Sequence, residues 1–435
     1  MQNSNPPPLP PPPSFLPIGD RKTVLSFVFG SSLFALLLFL TLSSSLSPYS
    51  YSSSSSSSPH IPPDPFLFPT RQSHRVIYHD NNSSDPTPPS IAYLLSGSNG
   101  DLGRIVRLLY ATYHPRNQYL LHLDRFASNS DREQLALKVQ SVPIFRAAQN
   151  VHLIGKADFV YPKGSSSISF TLHGASILLR LSTNWDWFIS LGVGDYPLVT
   201  QDDLLHIMSF LPKDLNFVNH SSYIGWKESK RLKPVIVDPG LYLSEKNVMF
   251  HASQKRVLPN AYRLFTGSSF NILSRNFMEF CVVGIDNLPR TILMYFANTP
   301  SSLSNYFPTV ICNSRQFNKT ILNHNLLYAN FDTPPKEKHL GSDDFDVMVR
   351  HGAAFATGFR SDDPILDRID REILKRRQGK VVPGGWCLGG FGNDTCSVWG
   401  DADILRPGPR ARGLEKLLVG LLSNGTFGSR QCIYE

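Results

Sequence analysis

IAYLLSGSNGDLGRIVRLLYATYHPRNQYLLHLD, residues 91–124, decides the fold. Ile91–Ser96 is an unbroken apolar run that stops at Gly97, the pattern of a strand buried on both faces. Leu102–Thr112 repeats its apolar residues at three- and four-residue spacing, which predicts a helix. Tyr119–Leu123 is a second apolar strand and ends at Asp124. Strand, helix and strand in this order read as a right-handed βαβ unit.

The alternation continues outward. Residues 131–140 predict a polar helix, Val151–Ile154 a strand and Ser167–Leu181 an amphipathic helix. Trp187–Val193 follows as a strand, 200–210 as a helix and Leu215–Val218 as a strand. The expected class is α/β, with a mixed, mostly parallel sheet flanked by helices. Ligands of such sheets bind beyond the carboxyl ends of the strands, where Asp124 and Asp195 fall. Gly97, Gly100 and Gly103 lie between the first strand and helix. Their spacing is not that of a dinucleotide fingerprint, and they read as a tight turn with close helix packing. The chain has no P-loop, HExxH or Gly-x-Ser-x-Gly motif, so the common hydrolase chemistries are not expected.

The chain has 435 residues, a net charge of +8 and a pI near 9.2. That excess suits anionic ligands. No basic block interleaved with aromatics occurs, so no nucleic-acid partner is expected. Residues 1–23 form a Pro-rich tail. Residues 24–42 (VLSFVFGSSLFALLLFLTL) carry no charge and are long enough to span a bilayer. Arg21 and Lys22 precede them, and no Lys or Arg follows until Arg71, so the tail is expected to be cytoplasmic. A cleaved signal peptide is the alternative; the length of the run and the lack of a small-x-small cleavage site favour an anchor. Residues 43–90 are a Ser/Pro-rich stem, and residues 91–435 are the expected lumenal domain. Acceptor sequons stand at Asn81, Asn82, Asn219, Asn318, Asn393 and Asn424. Of the five cysteines, Cys387 and Cys396 flank a Gly-rich loop and are the expected disulfide. The odd count leaves at least one thiol free or intermolecular.

The ordered set IAYLLSGS, LLHLDRF, WDWFISLGVGDYPLVTQDDLL, IGWKE, DPGLY, LFTGSSF, DNLPRT, PTVICN, DTPPK, VPGGWC and VWGDADILRPGP resembles the plant branch of the core-2/I-branching β-1,6-N-acetylglucosaminyltransferase family. That branch includes β-glucuronosyltransferases acting on arabinogalactan proteins. The resemblance runs from about Ile91 to Cys432. It implies a GT-A-like fold in a type II protein of the Golgi membrane. It also implies inverting transfer from a UDP-sugar, glucuronate first among the candidates, to a galactan side chain of an arabinogalactan glycoprotein. Basic side chains replace a bound metal in such enzymes, so neither a metal nor another cofactor is expected.

Residue by residue, the resemblance places Asp124 on the uracil and ribose. It places Lys336, with Lys338 and His339 beside it, on the diphosphate. Relatives read F-A-x-K-F where this chain has Phe355-Ala-Thr-Gly358-Phe359, so Arg360 is the remaining basic candidate there. Relatives carry their catalytic base in S-S-P-E-G-Y-F; this chain reads Ser301-Ser302-Leu303-Ser304-Asn305-Tyr306-Phe307, with Ser304 at the glutamate position. A serine hydroxyl takes no proton at neutral pH without a base of its own. Glu279 and Asp286 are the substitutes within reach in sequence. Trp226, Lys227, Glu228 and Arg231 are candidate acceptor contacts, as are Tyr328 and Phe331. Arg290 or Arg231 could pair with a glucuronate carboxylate. Asp344-Phe-Asp346 and Asp401-Ala-Asp403 spell DxD but fall late in the chain and read as caps or solvated carboxylates. The changed positions leave a second expectation: a member that keeps the fold and acts as a glycan-binding or scaffolding protein.

Overall fold

The computed structural model describes residues 87–246, 248–332, 336–337, 339–389, 395–423, 427–428 and 431–432. The tail, the apolar span, the stem, and the sequons at Asn81, Asn82, Asn393 and Asn424 lie outside them. Among the described residues no helix is long and apolar enough to cross a membrane.

Seven strands form the central sheet: β1 (Ile91–Gly97), β2 (Gln118–Leu123), β3 (Val151–Leu153), β4 (Trp187–Gly192), β5 (Asn216–Phe217), β6 (Ile272–Ser274) and β7 (Ile321–Leu322). Their spatial order is β7-β5-β6-β4-β1-β2-β3. β1 pairs in parallel with β2 (Leu94 beside Leu120) and with β4 (Leu94 beside Ser190). β6 runs antiparallel between β4 and β5. The expected strands and helices form within one or two residues of their expected ends. The antiparallel β6 carries no signal in the sequence, because three residues are too few for a period to show.

The apolar runs are explained by the two cores they separate. Tyr93 and Leu95 of β1 face one core, with Ile105, Leu108 and Leu109 of helix α1 (Leu102–Thr112). Ala92 and Leu94 face the other, with Phe170 and Leu178 of helix α2 (Ser166–Leu181). Gly174 lets α2 approach the sheet: a Cβ there would stand 2.6 Å from Leu94 Cδ2. The glycine turn divides. Gly97 is closely packed, and a Cβ would meet Asp101 at 2.9 Å; Gly100 takes φ +78°, which suits glycine. Gly103 faces open space, so close packing does not account for it.

The QDD of the fourth βα connection is structural. Helix α3 (Gln201–Ser209) opens with a capping box of Thr200 and Asp203. Asp202 Oδ2 accepts from the amides of Gly385 and Arg406, both at 2.7 Å, and Asp203 Oδ1 accepts from the Gly408 amide at 2.5 Å. These buried carboxylates hold the carboxyl-terminal segment onto the sheet. Cys387 and Cys396 are bonded, with Cα atoms 4.6 Å apart. A second disulfide joins Cys312 to Cys432, and Cys281 is a buried free thiol.

Candidate active site

Asp124 and the turn at Gly358 lie at the carboxyl edge of the parallel strands. Asp124 follows β2 and is buried. Its Oδ1 accepts from the Ser98 hydroxyl at 2.9 Å and from the Phe126 amide at 3.0 Å, while its own amide donates to the Gly97 carbonyl. Burial raises its pKa, against the pull of those donors. The strand-end turns after β1 and β2 are thereby locked together around one carboxylate.

The turn after β4 is held by Gly358. A small sheet, Asp195–Pro197 with Phe355–Thr357 and Leu327–Tyr328, extends that edge. The Gly358 and Phe359 amides both donate to the Gly194 carbonyl. The Gly358 carbonyl accepts from the Leu340 amide at 3.2 Å and lies 3.3 Å from His339 Nδ1. Gly358 has φ +99°. A β-carbon in a left-handed backbone costs roughly 1–2 kcal/mol, so the residue at 358 and the shape of this turn belong together: a lysine there would strain the turn. Arg360 is exposed. Lys336 and Phe331 are described in backbone only, on two short antiparallel strands.

Arg104, which belongs to no motif, stitches these turns. Its guanidinium donates to Asp101 Oδ1 at 3.0 Å and to the carbonyls of Val193 (3.1 Å) and Phe359 (3.2 Å). The signal in the sequence was the Asp101-x-x-Arg104 spacing at the start of α1, which is too common to single out.

Ser304 lies in the first turn of helix α4 (Leu303–Asn313) and is half-buried. Its entry is fixed by Ser301, φ +50°, whose amide donates to the Lys163 carbonyl at 2.9 Å. The Lys163–Gly164 turn leads into α2 and is clasped by Asp238 of DPGLY. Asp238 is buried, and it accepts from the Ser166 amide at 2.7 Å and the Gly240 amide at 2.8 Å. A Cβ on Gly164 would stand 1.9 Å from Asp238 Oδ2, so only glycine fits. Burial raises the phenol pKa of Tyr161 nearby, and the carboxylates of Asp238, Asp124 and Glu245 add to the effect.

The proposed substitutes for the base are engaged elsewhere. Glu279 pairs with Arg275 at 2.8 Å, and Asp286 accepts from the Leu288 amide at 2.8 Å. Arg290 donates to the carbonyls of Asp286 and Gly284, so it braces a turn. Trp226 is 68% exposed, with Lys227 Nζ at 5.9 Å and Lys230 Nζ at 5.1 Å from its ring. Lys227 and Arg231 are exposed on the same short helix, Trp226–Leu232, and the side chain of Glu228 lies outside the described positions. Tyr328 is half-buried, its ring 5.3 Å from His351. Asp344 receives the Gly341 amide as a cap, and Asp403 pairs with Arg116 beside the amino ends of β1 and β2. Asn219 is exposed and Asn318 half-buried.

One titrating group sits beside the carboxyl edge of the sheet. His122, two residues before Asp124, is buried against Phe170, and its Nε2 accepts from the Asp158 amide at 3.1 Å. Burial pushes its pKa down to about 4. The unfolded chain therefore binds the extra proton first, below about pH 6.5. This contribution to stability is complete above pH 6.5 and is lost as pH falls toward 4, by up to about 1.4 kcal/mol per pH unit. Urea midpoints measured across that window should fall with acidification, and His122→Asn should flatten the profile.

The Core-2/I-Branching enzyme family model matches residues 91–349. The chain is 52% identical over 354 residues to "Beta-glucuronosyltransferase GlcAT14A" of Arabidopsis thaliana, covering 80% of this chain and 79% of that protein. It is 52% identical to GlcAT14B over 79% of this chain and 80% of that one. With GlcAT14C, also from Arabidopsis thaliana, it shares 43% identity over 84% of this chain and 90% of that one. The family match covers more than half of the chain and the relatives align over most of their length; the chain belongs to the Core-2/I-Branching enzyme family and is a glycosyltransferase.

Proposed function

We propose that this glycosyltransferase moves glucuronate from its UDP-sugar to a galactan side chain of arabinogalactan glycoproteins, with inversion at the anomeric carbon. The observation that carries the reading is the 52% identity to two β-glucuronosyltransferases across four-fifths of the chain. The closed carboxyl edge around Asp124 supports it as a nucleotide seat in a GT-A-like sheet. In the proposed reaction the acceptor hydroxyl attacks as UDP departs. Arg360, two residues from Gly358, and His339, whose Nδ1 lies 3.3 Å from the Gly358 carbonyl, could balance the diphosphate charge without a metal, and Lys336 joins them on the family resemblance. Trp226, with Lys227 and Arg231, offers an exposed ring and cations to the acceptor. The reading makes the chain a type II protein of the Golgi membrane with its domain in the lumen; the uncharged span 24–42 behind Arg21 and Lys22 and the family resemblance support it.

A second reading has one observation in its favour. No carboxylate stands at position 304, and Glu279 and Asp286 are engaged elsewhere. The chain would then bind glycan with impaired transfer. UDP release by the purified full chain, with UDP-glucuronate and a β-galactan oligosaccharide, separates the two. The first reading expects acceptor-dependent release and a raised donor KM in Asp124→Asn. Glycan binding without release, across a panel of UDP-sugars, would establish the second.

A further inference from the structure

His220, Cys312 and Cys432 offer three ligand atoms that all lie within 4.8 Å of one another. None belongs to the donor edge. His220 sits on a short strand, His220–Ser221, and is 6% exposed. Asn323 fixes its backbone on both sides: Oδ1 accepts from the His220 amide at 2.8 Å, and Nδ2 donates to the His220 carbonyl at 3.0 Å. The imidazole Nδ1 lies 3.3 Å from the Val218 carbonyl. A carbonyl only accepts, so Nδ1 carries the proton and Nε2 presents a bare lone pair. That buried Nε2 has no hydrogen-bond partner. An orphaned buried acceptor, on a ring that offers a ligand atom within 4.8 Å of two sulfurs, needs a reason. Carbonyl anchoring of the remote nitrogen is the arrangement by which proteins orient a metal-binding histidine.

We infer that the Cys312–Cys432 disulfide has an alternative form in which the two thiolates and His220 Nε2 hold a soft divalent cation of the zinc class. A dithiol reductant breaks the S–S bond, supplying two electrons and two protons. The cation then displaces both thiol protons to solvent and takes two thiolates and the neutral imidazole; water completes four-coordination. The consequence is mechanical. Cys312 lies near the end of α4 and Cys432 in the carboxyl-terminal tail, so the cation keeps the tail tied to the helix that carries Ser304 when the covalent link is gone. Cys387 and Cys396 are not grouped with a third ligand among the described residues, which makes them an internal control.

The test uses the full-length chain in detergent, reduced with dithiothreitol and desalted anaerobically, with cobalt(II) as the probe. The expected result is one equivalent bound with a sulfur-to-cobalt charge-transfer band that zinc abolishes, and no band in the oxidised chain. His220→Ala should weaken binding by at least the roughly 10–100-fold that loss of an outer-shell partner alone costs. Cys432→Ser should remove the band, and Cys387→Ser should leave it. His220→Ala is checked in its oxidised form by the thermal melt and by the Cys312–Cys432 peptide in mass spectrometry. If it does not fold, Cys432→Ser, a change in the tail, carries the decision. Absence of the band from the reduced chain overturns the inference. So does a band that survives Cys432→Ser or is lost with Cys387→Ser.

Discussion

Replacing Ser304 by glutamate is expected to raise kcat by roughly 10²–10⁴-fold, the span a positioned general base supplies. In barrier terms that is about 3–5 kcal/mol. The position can accept the change. Ser304 is half-buried in the first turn of α4, and no side-chain hydrogen bond is made by it among the described residues. A carboxylate in a first turn is favoured by the helix dipole, typically by about 0.3–1 kcal/mol. The backbone leading to it is fixed by the Ser301–Lys163 hydrogen bond, so the new side chain inherits an ordered base. Ser304→Gln, equal in size but unable to take a proton, should give no gain. Gly358→Lys is not expected to add to the gain, because the left-handed backbone at 358 opposes a side chain. Initial rates of UDP release with a galactan acceptor decide the matter. A folded Ser304→Glu protein no faster than the parent would sink the idea that position 304 limits transfer.

The largest loss of stability is expected from Asp370→Ala. Asp370 lies at the centre of a buried charged group. It accepts from Arg107 Nη2 at 2.8 Å, from Arg376 Nη2 at 2.5 Å and Nε at 3.0 Å, and from the Tyr196 hydroxyl at 2.6 Å. The Arg376 side chain is 3% exposed. Removing the carboxylate strands a buried guanidinium, which costs roughly 3–5 kcal/mol. Burial pushes the Tyr196 phenol up to about 12, so it stays a neutral donor and cannot take over as a counter-ion. Tyr196 is the middle residue of Asp195–Pro197, the strand that pairs with Phe355–Thr357 ahead of Gly358. Loosening it should therefore raise the donor KM as well as lower the urea midpoint. An unfolding free energy within about 0.5 kcal/mol of the parent, the scale of an ordinary surface change, would refute the account.

Much of this was legible in the residues. The apolar runs of β1, β2 and β4 are continuous because both faces are buried, and such runs are hard to mistake. Asp124 was legible for the same reason, as the first charge after a buried strand. The pairing of Cys387 with Cys396 followed from a short loop. Arg104 and Asp238 were not legible. Each acts through backbone atoms far away in sequence, as with Arg104 on Val193 and Phe359, and backbone carbonyls carry no residue identity. The disulfide of Cys312 with Cys432 spans 120 residues, so no spacing could announce it.

What the sequence by itself determined is the α/β architecture, the family and the altered identity at positions 304 and 358, since these rest on side-chain type and order along the chain. What only the tertiary structure decided is how those positions are occupied. Gly358 is not a lysine simply missing from an otherwise unchanged turn: its left-handed backbone, held by Gly194, shapes the edge it borders. Glu279 and Asp286 cease to be spare carboxylates once Arg275 and the Leu288 amide are seen on them. The physical reason is common to both. Backbone conformation and hydrogen-bond partnership are properties of the folded chain, set by neighbours that sequence order does not reveal.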